Sequence, residues 1–480
     1  MKGLAPTPPL HGTALDPLES ALGFWNCCAS LAELWWSRHG GVQPEGIARS
    51  RLETLVAFAR ERSPFYRERY RGLPGRIDST SHLPALRRAE LMSHFDELCT
   101  DREVRRGEVE RFLADRGAVG RLFLGRYHVW KSSGTSGVPG LFVQDAQAMA
   151  VYEALVAAAL ESASVDPARL LAGGGRSALV IATGDHYASI TAWQHLRRVF
   201  PAVSARSFSV LAPLARLVRE LDDFQPAYLA SYPSVLSLLA CEQRAGRLRI
   251  APALVWSGGE SLSPAAQRAI EGAFGCTVMN EYGSSECLAM AHGCRAGWLH
   301  VDAEWVILEP VDADGRPTAP GATSHTVLVT NLANRVQPIL RYDLGDRITL
   351  APGPCPCGSP LPAIRVEGRS ARPLELRGAD GSTVPVPRLA LETAAESAAQ
   401  GARFQVARIA PDRVAVRVDG GDGSSATAKR IAAALRAYLA AQSLANVRVT
   451  AAREAPRPDR ASGKLASVVA EAPCRATTRA

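Results

Sequence analysis

Lysine is what this chain has least of for its charge: of 55 basic residues only Lys2, Lys131, Lys429 and Lys464 are lysines, and the rest are arginine. A lysine that persists in so arginine-biased a chain points to a task for a compact ammonium on a flexible stem. No apolar run reaches the roughly 20 residues needed to cross a bilayer, and the longest, 228 to 240, is broken by Pro233. Residues 21 to 36 are apolar, but Asp16 and Glu19 precede them and Glu33 interrupts them, unlike a secretory signal. Ten cysteines in 480 residues do not describe a disulfide scaffold. Neither a Gly-Lys-Ser/Thr phosphate loop nor a GxGxxG fingerprint occurs, which argues against P-loop nucleotidases and Rossmann oxidoreductases. The net charge of +8 is spread along the chain rather than clustered. A cytoplasmic protein with no nucleic-acid or membrane partner is expected.

What is present begins with Trp130-Lys-Ser-Ser-Gly-Thr-Ser-Gly-Val-Pro-Gly140, a composition that serves packing poorly and phosphate well. Glycines let successive N–H groups converge, and Ser132, Ser133, Thr135 and Ser136 add hydroxyl donors around Gly134 and Gly137. A flexible linker is the alternative reading. Against it, Tyr127 to Trp130 is strand-like and Ala146 to Leu160 has helical apolar spacing, so the loop joins ordered elements.

The loop resembles the phosphate loop of the adenylate-forming enzymes, which include acyl-CoA ligases, adenylation domains and luciferases. Val255-Trp-Ser-Gly-Gly-Glu-Ser261, Asn280-Glu-Tyr-Gly-Ser-Ser-Glu286, Arg341-Tyr-Asp-Leu-Gly-Asp346, Gly368-Arg369 and Ser462-Gly-Lys464 resemble the later motifs of that superfamily, in the same order. Within it, Arg62-Ser-Pro-Phe-Tyr66, Leu83-Pro84 and Leu91-Met-Ser-His-Phe95 are similar to the N-terminal pattern of the phenylacetate-CoA ligase branch, which includes capsule-biosynthesis relatives.

The resemblance implies roles. Ser132 to Gly137 would hold the β- and γ-phosphates of ATP. Glu286 would help hold Mg²⁺, a hard cation that takes oxygen ligands. Ser285 would contact the α-phosphate and Tyr282, followed by Gly283, the adenine. Gly258, Gly259 and Glu260 would line the purine, and Asp346, with Asp343 nearby, would accept both ribose hydroxyls. Arg369 would contact ribose or phosphate at the domain junction. Lys464 would bridge the carboxylate and the α-phosphate. His186 and Tyr187, in Gly184-Asp-His-Tyr187, fall where the family forms its acyl pocket. Cys294, His300, Cys355 and Cys357 make a set of soft ligands suited to structural Zn²⁺, with Cys287 and His292 in reserve and buried free thiols as the alternative.

Strand-like and helical segments alternate from Ser177 to Trp256. That rhythm predicts an α/β fold of stacked, mostly parallel sheets whose strand ends carry the ligand loops. A large N-terminal domain over 1–368 is expected, with a small β subdomain at about 298–366. Residues 369–480 are expected to form a small mobile α+β domain, and two or three amphipathic helices are expected between Leu22 and Arg71. The expected activity is ATP-dependent adenylation of an aryl or other small organic acid, followed by transfer to CoA, in a protein that is a candidate homodimer. Where many relatives have an acidic hinge, this chain has Ser370-Ala-Arg-Pro373, and Arg377 to Ser382 looks like a longer loop than usual. Transfer to an amine, a carrier-protein thiol or another nucleophile is therefore a second reading, and a non-catalytic nucleotide-binding scaffold a third.

Overall fold

The computed structural model describes residues 17–41, 43–132, 139–162, 168–169, 174–200, 203–367, 373–399, 402, 404–418, 424–457 and 466–471. Three helices open the chain, α1 (Pro17–His39), α2 (Pro44–Arg62) and α3 (Pro64–Arg69), as the apolar spacing predicts. Proline begins α2 and α3, where its missing N–H costs nothing. Short helices follow, α4 (Arg88–Ser93), α5 (Phe95–Leu98) and α6 (Arg106–Ala114). Next comes an antiparallel hairpin, β1 (His128–Lys131) with β2 (Leu141–Gln144), and then α7 (Ala146–Ser162).

The alternating segment follows in order: β3 (Ser177–Ile181), α8 (Ala188–Val199), β4 (Ala205–Ser209), α9 (Leu214–Phe224), β5 (Tyr228–Ser231), α10 (Pro233–Arg244), β6 (Leu254–Ser257), α11 (Pro264–Phe274) and β7 (Thr277–Tyr282). Strands β7, β6, β5, β3 and β4 lie side by side in that order, all parallel. Their central members are almost entirely buried, as parallel strands covered on both faces must be.

The sheet does not end at β7. Strands β8 (Ala291–Gly293) and β9 (Leu299–Val301) extend it antiparallel. Strands β10 (Val306–Val311), β11 (Thr326–Asn331) and β12 (Ile339–Asp343) then form a separate three-stranded antiparallel sheet. The chain returns through β13 (Ile348–Leu350) and β14 (Ala363–Val366), giving a nine-stranded order of β13-β14-β9-β8-β7-β6-β5-β3-β4. The stretch 298–366 is thus divided between two sheets. The physical reason is visible in β9, where Leu299, His300 and Val301 are all buried and so require neighbours on both edges.

The last part holds the hairpin β15 (Leu374–Arg377) with β16 (Thr383–Val386), then α12 (Arg388–Ala399), β17 (Phe404–Ala410), β18 (Arg413–Val418), α13 (Ser424–Ala441), β19 (Arg448–Ala451) and β20 (Val468–Ala470). The loop 377–382 is the turn of that hairpin. Strands β17 to β20 form a mixed four-stranded sheet in the order β19-β18-β17-β20. Its apolar face is continuous with the core of the parallel strands, while the N-terminal helices, β1, β2, α7 and the antiparallel strands share a second core. None of the described helices is long and apolar enough to cross a membrane.

Candidate functional site

The hairpin β1–β2 presents the glycine-serine loop. Its base is closed twice: Ser132 N donates to Gly140 O at 2.9 Å, and Gly140 N donates to Ser132 Oγ at 2.9 Å. Ser132 is buried, and as the acceptor of that bond its hydroxyl keeps a proton to donate. Gly140 cannot be larger, since a Cβ there would meet the Phe142 ring at 2.7 Å. Ser133, Gly134, Thr135, Ser136 and Gly137 lie outside the described residues, as do Gly368, Arg369 and Lys464.

Lys131, the residue before the loop, places its Nζ 2.7 Å from Asp185 Oδ2. Its backbone N–H is fixed to His186 O at 2.9 Å, so the main chain is held while the side chain, 23% exposed, is not enclosed. Asp185 also accepts from His186 N at 2.8 Å. Of the two candidate substrate residues, His186 is fully buried, with Nε2 2.9 Å from Asp115 O, and burial holds its pKa below the usual imidazole value. That places it as a tie between loops rather than on a ligand-facing surface. Tyr187 is half-buried and its Oη donates to Glu396 Oε2 on α12 at 3.1 Å.

The turn after β7 is the most constrained part of the site. At Gly283 a Cβ would stand 1.8 Å from Leu288 O, so only glycine fits. Tyr282 Oη donates to Asp346 Oδ2 at 3.0 Å, which joins the predicted adenine and ribose residues directly. Asp343 instead accepts from Thr326 Oγ1 at 2.5 Å and Gly345 N at 3.0 Å, and so belongs to its own turn. Ser285 O accepts from the buried Trp130 Nε1 at 2.8 Å, tying this turn to the strand that leads into the phosphate loop. Asn331 Nδ2 donates to Glu286 O at 3.1 Å, and the buried Glu286 carboxylate lies 3.6 Å from Arg88 Nη2. Arg88 Nε in turn donates to Tyr342 Oη at 3.3 Å.

At the end of β6, Gly258 N donates to Ser231 O at 3.3 Å and Gly259 turns with φ +77, against the ring of Tyr232. Glu260 follows these two glycines. Its carboxylate accepts from Ser234 N at 3.0 Å and Ser234 Oγ at 3.1 Å, satisfying the first turn of α10. Beneath Gly258 lies Glu281, whose carboxylate accepts from Trp256 Nε1 at 2.7 Å and whose pKa burial pushes up to about 7.

Away from these strand ends, Cys294, His300, Cys355 and Cys357 bring one ligand atom each to within 4.8 Å of one another. Cys294 Sγ and Cys355 Sγ are 3.7 Å apart, the edge of a tetrahedron with metal–sulfur bonds of about 2.3 Å. His300 Nε2 is 3.1 Å from Cys357 Sγ, while His300 Nδ1 meets Leu361 O at 3.0 Å, the outer partner that leaves Nε2 free to bind a metal. The donor set and spacing fit Zn²⁺. Neither reserve ligand joins: Cys287 is buried against Ala289 O, and His292 Nδ1 lies 3.1 Å from Asp302.

Sequence reading gave no role to Arg88, Asn331, Trp130 or Glu281. The one signal for Arg88 was its position between Leu83-Pro84 and Leu91 to Phe95, two stretches already singled out.

The architecture is similar to that of a solved acyl-CoA ligase. The crystal structure of 2-hydroxyisobutyryl-CoA ligase in complex with 2-HIB-AMP and CoA superposes with a TM-score of 0.54 at 20% identity, covering 89% of each chain. In sequence, the chain is similar to phenylacetate-coenzyme A ligase of Thermus thermophilus, 25% identical over 330 residues, which is 65% of this chain and 67% of that one. It is also similar to the protein CapK of Staphylococcus aureus, 26% identical over 135 residues, 28% of either chain. No family model matches the chain.

Proposed function

We propose that the chain uses ATP to activate a carboxylic acid, an aryl or other small organic acid, as its acyl-adenylate, and then passes the acyl group to CoA. The observation that supports this most is the Tyr282–Asp346 hydrogen bond beside a buried Glu286, with Trp130 tying that turn to the phosphate loop. These groups serve one nucleotide, and their roles come from the resemblance and from the relatives.

In the first half-reaction a carboxylate oxygen attacks the α-phosphorus, and the bond to the leaving pyrophosphate breaks. The need is for positioning and for stabilisation of charge on the phosphoryl oxygens. Asp346 takes the ribose hydroxyls and Tyr282 holds Asp346 in place while its ring lies against the purine. The loop Ser132 to Gly137 donates to the β- and γ-phosphates, and Ser285 to the α-phosphate. Lys464 brings its ammonium to the carboxylate and the α-phosphate together. Glu286, with Arg88 behind it, would be the ligand for Mg²⁺, which when bound neutralises phosphate charge. In the second half-reaction the CoA thiol loses its proton, the sulfur attacks the acyl carbon, and AMP leaves.

Cys294, His300, Cys355 and Cys357 would hold a structural Zn²⁺; four protein ligands leave no position for chemistry.

The sequence Ser370-Ala-Arg-Pro373, outside the described residues except for its last member, favours one alternative: adenylation followed by transfer to an amine, a carrier-protein thiol or another nucleophile. The acceptor is tested by incubating the protein with ATP, Mg²⁺, CoA and a panel of acids, and following thioester by mass. The proposal expects a CoA thioester and one AMP per thioester. Acyl-adenylate that accumulates without thioester would assign a different acceptor.

A further inference from the structure

The first helix is apolar on two sides. One side, with Cys27, Ser30, Leu34 and Ser37, is buried against the body of the protein. Arg38 anchors that side, reaching Asp302 and Glu304 at 2.9 Å each. The opposite side should be polar in a helix that meets only solvent. Instead Leu22, Trp25, Ala29, Ala32 and Trp36 are exposed there, at the three-four spacing of a coiled-coil seam. Trp25 is 69% and Trp36 68% exposed, and Phe24 and Trp35 extend the patch along one flank at 44% and 48%.

From this face we infer a two-fold homodimer in which α1 pairs antiparallel with α1 of a second copy. The spacing is its own mirror about the point between Ser30 and Leu31. An antiparallel partner centred there sets Trp25 against Trp36 of the second copy, and Ala29 against Ala32. Self-complementarity of this kind is what an isologous contact requires. Small alanines at the centre let the two backbones approach, and the tryptophans, about 16 Å apart along the helix, close both ends.

Area supports a second copy as the occupant. With about 150–250 Å² for a whole aromatic side chain, the exposed parts of Leu22, Phe24, Trp25, Trp35 and Trp36 amount to roughly 600 Å² per copy. A patch of that size is at the upper end of the roughly 300–600 Å² of the largest apolar patch on a typical monomer, and such patches are often functional. Covering it on both copies removes roughly 1,200 Å², the lower edge of the range for specific interfaces.

The test is sedimentation equilibrium on the full chain at micromolar concentration. The wild-type protein is expected as a dimer. Trp25→Glu and Trp36→Lys, each alone, are expected to raise the dimer dissociation constant at least tenfold while the single copy stays folded by circular dichroism, since both side chains are exposed on one copy. Mixing Trp25→Glu with Trp36→Lys is expected to restore dimers. In the mixed pair the introduced carboxylate of one copy faces the introduced ammonium of the other, and the remaining tryptophans, Trp36 of the first and Trp25 of the second, still face each other. A monomeric wild-type protein overturns the inference, including one that floats with anionic vesicles through the same tryptophans. So does a dimer that both substitutions leave intact, or a mixture no tighter than its components.

Discussion

The two halves of the nine-stranded sheet are built on different terms. In the parallel half, the central strands β3, β5 and β6 are almost entirely buried, and the strand ends carry Gly259 and Gly283, positions where backbone comes close to Tyr232 and Leu288. In the antiparallel half, β8, β9 and β13 are three residues long, too short to hold register by ladder and apolar contact alone. There the cluster of Cys294, His300, Cys355 and Cys357 ties the β8–β9 turn to the segment before β14. A long buried sheet can spend its strand ends on a ligand, whereas a short one would be pinned by ligation. On the proposed function, one half would hold the nucleotide and the other would support it.

Glu286→Gln should break the comparison at its functional end. Loss of the carboxylate beside the phosphates is expected to lower adenylation by about 100-fold or more, with a melting temperature within a few degrees of wild type. A large loss of stability with normal turnover would make Glu286 structural. Cys355→Ser tests the other half. It should abolish one equivalent of bound zinc, measured by metal analysis, and destabilise the fold by on the order of 3 kcal/mol, with little change in the turnover of the protein that remains folded.

Lys131→Met sharpens the boundary between the halves and the loop. Lys131 precedes the glycine-serine loop in sequence and pairs with Asp185. If the ammonium serves the triphosphate, the ATP concentration for half-maximal adenylation rises about tenfold, or ~1.4 kcal/mol, with turnover changed little. A rise for the acid instead would place Lys131 in the acyl pocket.

An effect confined to part of the pH range is expected at Glu281. Its pKa in the fold, about 7, lies above the 4.5 of a free glutamate, so its contribution to stability is complete below that value and is lost as pH rises through 7. Glu281→Gln should therefore flatten the fall in melting temperature between about pH 4.5 and 7. The gain over wild type at pH about 8.5 is on the order of 2 kcal/mol, and it disappears near pH about 4.5. A constant gain at both pH values would contradict the assignment.

Much of this was legible because the parallel half announces itself. Strand, glycine turn and helix recur at short intervals between Ser177 and Trp256. The Cys-x-Cys turn and His300 were legible for the same reason, being few and chemically distinctive. The partner of the Glu260 carboxylate was not legible, because Ser234 lies 26 residues away and no motif contains it. Arg88 and Asn331 went unread since their partners, Glu286 and its carbonyl, are 198 and 45 positions distant. The three-residue strands carry too few side chains to show alternation, and so the division of 298–366 between two sheets was not visible.

The central claim is that the strand ends of the parallel half adenylate an acid. Acid-dependent exchange of pyrophosphate into ATP, measured across aryl and aliphatic carboxylates with Lys464→Ala beside the wild type, tests it most directly. The account predicts exchange with at least one acid, reduced by at least about 100-fold in the Lys464→Ala protein. Exchange that Lys464→Ala leaves untouched, or none with any acid from a protein that binds ATP, would contradict it.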